Sequence, residues 1–223
     1  MHSPDMKPIH LLAVTALATG ASAGAQSFEL GLTGGYANGL SGEAFIHSPN
    51  LIGPVGVKFG VSYARAADAI KDSSDLGAGT FASYKASGAT ESGTHTIVGL
   101  DATYGLGELA PGIDTTLYAG ARYGMFRSTE DYGSNINATY STNAFGVGGG
   151  VMVGYALTGN LSLVADLGAD YFFNSTINQV NNTASGQTTA SYATNDPNYG
   201  DISNRFVRPG IDFKARIGIK YVF

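Results

Sequence analysis

The chain has 223 residues, a net charge of −5 and no cysteine. This length suits one domain or one small barrel and leaves no room for a second globular domain. The lack of cysteine excludes disulfides, thiolate metal sites, a cysteine nucleophile and lipoprotein acylation. The negative charge, without any basic stripe, argues against a nucleic-acid partner.

The composition favours an all-β chain. There are 32 Gly and 13 Tyr, and only 13% of the residues are charged. Glycine serves corners and close contacts in sheets, and tyrosine suits a membrane interface.

The first 25 residues have the order of a secretory signal peptide. Lys7 precedes an apolar run at 9–18 that is too short for a spanning helix, and small residues follow it. Cleavage after Ala25 is the preferred prediction, and cleavage after Ala23 is the alternative.

The start of the chain has two candidates. Met6 resembles a start better than Met1, because Lys7 follows it directly, so residues 1–5 are a possible over-extension of the gene start. The predicted organisation is a signal peptide over 1–25 and one barrel domain over 26–223.

After the signal peptide, apolar and polar side chains alternate with a period of two, which indicates strands rather than helices. The predicted strands span residues 27–36, 41–47, 55–63, 96–106, 113–126, 143–157, 161–172 and 206–223. Within a strand, one face is apolar and the other carries glycines and polar residues.

The connections between these strands alternate in length. Short turns are predicted at 47–54, 107–112 and 158–160, whereas the opposite end carries a tight connection at 37–40 and long loops at 66–95, 127–142 and 173–205. Short turns at one end, long loops at the other and an even number of strands are typical of membrane barrels. The pattern therefore predicts an eight-stranded antiparallel up-and-down transmembrane β-barrel.

The long loops are rich in Ser, Thr, Asn, Gly and Ala and have few apolar anchors, so we expect mobile surface that binds an unidentified extracellular ligand. Tyrosines in them could serve as adhesive contacts or pack the loops together. These residues are Tyr84, Tyr132, Tyr140, Tyr192 and Tyr199.

Strand parity places most of the charged residues on one face. The bases are Lys58, Arg122, Lys214, Arg216 and Lys220, and the acids are Glu29, Glu43, Asp101, Asp166, Asp170 and Asp212. Because a Lys or Arg on the lipid face near the midplane costs about 2–4 kcal/mol, this face is predicted to be the barrel interior.

An interior of eight strands is about wide enough for its own side chains to fill. We therefore predict a hydrogen-bonded ion network that plugs the barrel rather than an open channel. The strongest predicted pairing sets Asp166 and Asp170 of the seventh strand against Lys214 and Arg216 of the eighth.

The histidines after the signal peptide give little support for catalysis. His47 is expected at the end near the chain termini, and His95 at the top of the fourth strand as an exposed polar residue. A triad of His95, Ser92 and Asp101 is conceivable. However, Ser92 lies in a flexible-looking stretch and Asp101 lies well below it, so we predict no catalytic residues.

A metal site is not predicted either. Asp68, Asp72 and Asp75 lack the spacing, the central glycine and the closing Glu of an EF-hand. No cofactor is expected.

The C-terminal residues carry the most specific motif of the chain. Arg216, Gly218, Tyr221 and Phe223 fit the order polar, any, Gly, any, any, aromatic, any, aromatic. This end resembles the C-terminal assembly signal of bacterial outer-membrane barrels, and the whole chain resembles the superfamily of outer membrane protein A.

The resemblance implies that the protein lies in the bacterial outer membrane, contacts its lipids and is recognised by the barrel-assembly machinery. It also implies a role in envelope structure or surface interaction. The alternatives are a narrow pore for small or hydrophobic solutes, an enzyme at the barrel rim, and a secreted soluble β-barrel with an apolar interior.

Overall fold

The computed structural model describes residues 27–66, 68–206 and 210–223, so the predicted signal peptide lies outside the described residues. This part of the chain forms ten strands and two short helices. The strands are β1 Glu29–Ala37, β2 Gly39–Ile52, β3 Val55–Ala66, β4 Thr90–Ala110, β5 Ile113–Asp131, β6 Asn137–Ala156, β7 Leu161–Phe172, β8 Ile177–Thr183, β9 Gly186–Tyr192 and β10 Ile211–Val222; the helices are α1 Phe81–Ala86 and α2 Tyr199–Arg205. Neither helix is long and apolar enough to cross a membrane.

Eight of the strands close into a ring. Each of β1 to β7 pairs with its neighbour in the chain, β10 pairs with β7 and β1, and all of these pairings are antiparallel. The remaining hairpin, β8 and β9, adds to the upper part of β6 at residues 137–141. The predicted eight-stranded antiparallel barrel is confirmed.

Several strands run further than the sequence pattern predicts. β2 covers 39–52, β4 begins at 90 rather than 96, and β5 and β6 continue as a hairpin to a turn at 132–136. The upper extensions of β4, β5 and β6 carry polar side chains on the outer face. Because the apolar and polar alternation fades there, hydropathy gives no sign of these strand segments.

The last strand is shorter than predicted, since β10 begins at Ile211 rather than at 206. Phe206 instead follows α2 and forms an isolated bridge with Ile70. Its apolar side chain fits the alternating pattern by coincidence, because Phe206 is buried against the segments that cover the barrel.

The outer face of the ring is an apolar belt between two aromatic rims. Along β3, for example, the side chains at every second position from Val55 to Tyr63 are exposed. The rim far from the chain termini contains Tyr36, Tyr63, Tyr123, Phe145, Tyr171 and Phe213, and the rim near them contains Phe28, Tyr104, Tyr155, Tyr221 and Phe223. Aromatic rims at both ends of an apolar band are the pattern of a barrel that sits in a membrane.

The predicted long loops form a folded cap over one end of the ring, and the expectation of loose loops with few apolar anchors is wrong. Segments 66–95 and 173–206 contain α1, α2 and the β8–β9 hairpin. Their apolar side chains pack against inward residues of β4 to β7 in a cluster that we term the cap core. Its buried members are Ile70, Phe81, Ile97, Phe126, Ala138, Tyr140, Ala144, Phe172, Ile177, Tyr199 and Phe206.

Gly218 of the C-terminal motif has a packing role in the ring. It pairs with Thr33 of β1 and Val164 of β7. A Cβ atom at this position would collide with the carbonyl oxygen of Leu32 and the Cα of Thr33. These are backbone atoms of a paired strand, which can move only by distorting the β1–β10 pairing.

We predict that Gly218→Ala lowers the free energy of unfolding by about 1–3 kcal/mol, because the added methyl group overpacks the seam between β1 and β10. Gly34→Ala is the matched control, since the nearest atom to a Cβ there is 3.8 Å away. Urea unfolding in detergent measures both variants. Equal losses would contradict this role for Gly218.

Candidate functional site

The ring interior contains a set of charged side chains that we term the interior network. Its members from the sequence analysis are Glu29, Lys58, Asp101, Arg122, Asp166, Asp170, Asp212, Lys214, Arg216 and Lys220, and they are only 2% to 7% exposed. They come from β1, β3, β4, β5, β7 and β10, whereas β6 presents glycines to the same space. Strand alternation explains the arrangement, because each strand turns its other face to the apolar belt.

The layer nearest the chain termini is centred on Glu29. The Glu29 carboxylate accepts a hydrogen bond from Lys220 at 3.0 Å and lies 2.7 Å from Nδ1 of His47. Nε2 of His47 lies 2.9 Å from the Thr103 hydroxyl, and Lys220 also donates to Asp114 at 2.8 Å. His47 therefore lies at the end predicted for it and serves as a buried polar bridge.

The next layer joins Glu43 to two bases. Lys58 Nζ lies 2.9 Å from one carboxylate oxygen of Glu43, and Arg216 Nη1 lies 2.5 Å from the other. The predicted pair of Asp166 and Arg216 is also formed, at the longer distance of 3.9 Å. Asp166 accepts in addition a hydrogen bond of 2.5 Å from the Tyr118 hydroxyl.

Tyr118 organises the centre of the network, a role that charge parity alone did not reveal. Its ring centroid lies 4.5 Å from Lys58 Nζ and 5.2 Å from Lys214 Nζ, so it makes cation–π contacts with both. The Tyr118 hydroxyl reaches this position over Gly150 and Gly168, where any Cβ atom would collide with it. The sequence does hold an indication of this role. Tyr118 occupies an inward position of its strand, and the inward positions of nearby strands are rich in glycine.

The layer beneath the cap is centred on Arg122. Its Nη1 donates to Asp101 at 2.6 Å and its Nε to Asp170 at 2.8 Å. Lys214 Nζ lies 3.1 Å from Asp170, so the structure brings together this predicted pair. Asp212 is buried near these groups on the next inward position of β10.

Little free space remains among these side chains. A cavity of about 20 Å³ lies between Lys58, Arg122 and Lys214. A cavity needs about 10–15 Å³ to hold one water molecule. This space therefore has room for about one water.

A second polar group, which we term the cap latch, holds the cap to the ring. Arg205 of α2 forms an ion pair with the buried Glu130 of β5, which also accepts a hydrogen bond from Tyr140 at 2.9 Å. Gln179 of β8 donates to the Tyr140 hydroxyl at 3.2 Å and accepts from Tyr192 of β9 at 3.0 Å. Burial raises the pKa of Tyr140, so its hydroxyl stays protonated and can donate to Glu130.

The conceivable catalytic triad is not assembled. His95 is on the inner face of β4, only 1% exposed, and its ring packs against Phe126 at 5.1 Å between centroids. Ser92 lies on the outer face of the same strand, and Asp101 is bound by Arg122. The expectation of an exposed His95 is wrong, because the cap covers the end of the barrel where His95 lies.

Three carboxylates of the cap lie close together. Ligand oxygens of Asp68, Asp72 and Glu91 are within 4.8 Å of one another. Lys85 Nζ donates to Asp72 at 2.8 Å and to Glu91 at 2.7 Å, and these hydrogen bonds raise the pKa of Lys85. Glu91 also accepts two backbone N–H bonds. Lys85 thus offsets one of the three negative charges, and backbone donors of the chain hold Glu91 in place.

Comparison with known proteins relates the chain to solved outer-membrane proteins. Neither a protein-family model nor a curated protein matches the chain. Among solved structures, a major outer membrane protein from Thermus thermophilus is 32% identical, with a TM-score of 0.81, over 90% of this chain and 100% of that one.

Two further structures resemble the chain more distantly. The N-terminal β-barrel domain of OprF from Pseudomonas aeruginosa is 14% identical over 89% of this chain and 98% of that one, with a TM-score of 0.43. CarO2 from Acinetobacter baumannii is 13% identical over 89% of this chain and 100% of that one, with a TM-score of 0.45. At such low scores these two likenesses add nothing to the assignment.

We predict that Arg122→Met destabilises the barrel by about 3–5 kcal/mol, because Asp101 and Asp170 then lose a shared partner in a buried site. Arg127→Met is the matched control, since Arg127 is exposed on the outer face of the same strand, and its effect should stay within about 0.5 kcal/mol. Unfolding in urea, followed by circular dichroism, measures both. A similar loss of stability in the two variants would contradict a stabilising role for the interior network.

We predict that Glu130→Gln loosens the cap by about 3 kcal/mol and leaves the ring intact, because Arg205 loses its buried counter-charge. Hydrogen exchange at β8, β9 and α2 should speed up, while exchange at β1 and β10 stays unchanged. Asp201→Asn is the control, since Asp201 is an exposed carboxylate on α2. Faster exchange throughout the barrel would contradict a local latch.

Proposed function

Because the chain belongs to the bacterial outer-membrane β-barrel proteins, we propose that it is a non-enzymatic structural and surface-interaction protein of that membrane, with an interior closed to solutes. The protein lies in the outer membrane. Its interior is closed in this proposal, its side chains perform no catalysis, and its cap binds a partner.

The observation that carries the proposal is the filled cross-section of the ring. The side chains of Lys58, Tyr118 and Arg122 meet partners from adjacent strands and from strands two positions away in the ring, at hydrogen-bond or cation–π distance. A passage for solutes would need a continuous gap, whereas the cavity among these groups has about 20 Å³. An interior filled in this way supports a structural barrel rather than a channel.

The cap supports the same proposal independently. Above the interior network, Phe126, Phe172 and Phe81 fill the ring with apolar side chains. An ion that left the network on this side would have to cross an apolar layer, which costs far more than crossing water. A closed interior therefore has two barriers in series, one ionic and one apolar.

The arrangement of possible catalytic groups supports a non-enzymatic role. Ser92 and His95 lie on opposite faces of β4, and Asp101 has an arginine partner. Acid–base catalysis needs its groups within hydrogen-bond reach of one another or of a bound substrate.

The outer surface of the cap supports an interaction role with an unidentified extracellular ligand. β9 is an edge strand of the sheet in the described part of the chain, and residues 186–192 carry no charge. Unpaired backbone groups of an exposed edge can bind an extended segment of another protein.

Biogenesis completes the proposal. Export would depend on the signal peptide over 1–25, and insertion would depend on recognition of Arg216, Gly218, Tyr221 and Phe223 by the barrel-assembly machinery. The outward side chains of Tyr221 and Phe223 support this, because both are exposed at the rim near the chain terminus and accessible to a partner.

We predict that the protein, reconstituted in planar phosphatidylcholine bilayers with 1 M potassium chloride on both sides, shows no stepwise conductance. The variant Tyr118→Ala/Arg122→Ala/Phe126→Ala, which removes the centre of the network and part of the apolar layer above it, should show brief openings. Folding of both is checked by the shift in gel mobility on boiling. Regular conductance steps from the unmodified protein would contradict a closed interior and favour a narrow pore.

A further inference from the structure

Two arginines on the outer face of the barrel flank a single threonine. Arg65 of β3 and Arg127 of β5 both pair with Thr94 of β4, one from each side. Paired residues share a face of the sheet, and neighbouring strands lie about 4.8 Å apart, so the two arginine backbones are roughly 10 Å apart. Both side chains are long enough to meet in front of Thr94.

These arginines differ from most bases in the described part of the chain in having no partner within the protein; Lys71 of the cap shares this property. Ion pairs to carboxylates engage Lys58, Lys85, Arg122, Arg205, Lys214, Arg216 and Lys220. Within residues 27–66, 68–206 and 210–223, the side chains of Arg65 and Arg127 form neither an ion pair nor a hydrogen bond. Both side chains are exposed. Their donor groups are therefore free for a ligand outside the chain.

Their height on the barrel identifies the solvent they meet. Tyr63 of the aromatic rim is two residues before Arg65 on the same face of β3, and Met125 is two residues before Arg127 on β5. Aromatic rims lie at the level of lipid headgroups. Arg65 and Arg127 thus lie just above the hydrocarbon region, on the side of the cap.

We propose that Arg65, Thr94 and Arg127 bind the phosphate group of an anionic lipid in the leaflet on the cap side. Guanidinium groups bind phosphate through paired, charge-assisted hydrogen bonds, and a threonine hydroxyl can donate a third. Two guanidinium groups compensate the negative charge of the phosphate. The lipid chains would then lie along the apolar belt below Tyr63. This inference concerns the outer wall and is independent of the proposed closed interior and of the cap's partner.

The test compares lipid retention by native mass spectrometry of the folded protein released from mixed micelles. The micelles contain equal amounts of phosphatidic acid and phosphatidylcholine, and the variants are Arg65→Gln, Arg127→Gln and both together. Lys71→Gln is the matched control, because it removes an exposed base that lies in the cap. Gel mobility with and without boiling verifies that each variant is folded.

We expect the unmodified protein to retain phosphatidic acid over phosphatidylcholine, and each arginine variant to lower that preference about fivefold. The double variant should lose the preference, whereas Lys71→Gln should keep it. Arg65→Lys/Arg127→Lys should retain part of it, since the charges remain but the paired geometry is lost.

Three results would overturn the proposal. The unmodified protein could retain both lipids equally, or Lys71→Gln could lose as much preference as the double variant, which would indicate general charge attraction. Inorganic phosphate at 50 mM, about the level that competes with weak anion binding, could also bind in place of the lipid, which would indicate a site for a soluble anion. If the barrel conducts ions and still retains the lipid, the closed interior is contradicted and the lipid site at Arg65, Thr94 and Arg127 is supported.

Discussion

The pairing of charges inside the ring is the interaction on which the rest of the structure depends. An apolar outer face forces every second residue inward, and the inward set contains Glu43, Lys58, Asp101 and Arg122 in an enclosed space. A buried charge without a partner is costly, so each must meet an opposite charge inside the ring. A slip of one residue in any strand would turn its charges toward lipid. Charge pairing and strand register therefore determine each other.

The same wall encloses two cores of opposite polarity. Below the level of Arg65 and Arg127, the outside of the ring is apolar, and the inside changes from charged side chains to the lower part of the cap core. Above that level, the cap core continues inside the ring, and the outside is polar. The hydrophobic effect explains the reversal, because it drives apolar groups inward only where water lies outside. On the outer face, the row that holds Thr94 marks the boundary between apolar and polar side chains.

The sequence predicted the strands in which apolar and polar residues alternate with a period of two. It did not predict the strand segments in which both faces of the strand carry polar or mixed residues. Strand parity located the interior charges and two predicted pairs, Asp170 with Lys214 and, at 3.9 Å, Asp166 with Arg216. It did not reveal the shorter contact of Arg216 with Glu43, because contacts between strands that are not paired depend on the tilt of the strands, and periodicity within a strand carries no information on tilt. It missed the cap core, since anchors such as Ile70 and Phe81 are single apolar residues among polar neighbours. Their partners are distant in sequence and are brought close only by the closed ring.

The central claim is that the outer face of the ring meets lipid, and accessibility along β3 tests it most directly. The chain has no cysteine, so single cysteines at Val57, Phe59, Val61 and Arg65 can each carry a nitroxide label in lipid vesicles. We predict that dissolved oxygen relaxes the first three labels strongly, that a water-soluble nickel chelate does not reach them, and that the order reverses at position 65. Equal access of the nickel chelate to all four labels would contradict a lipid-facing belt, and with it the inverted polarity on which this account of the fold depends.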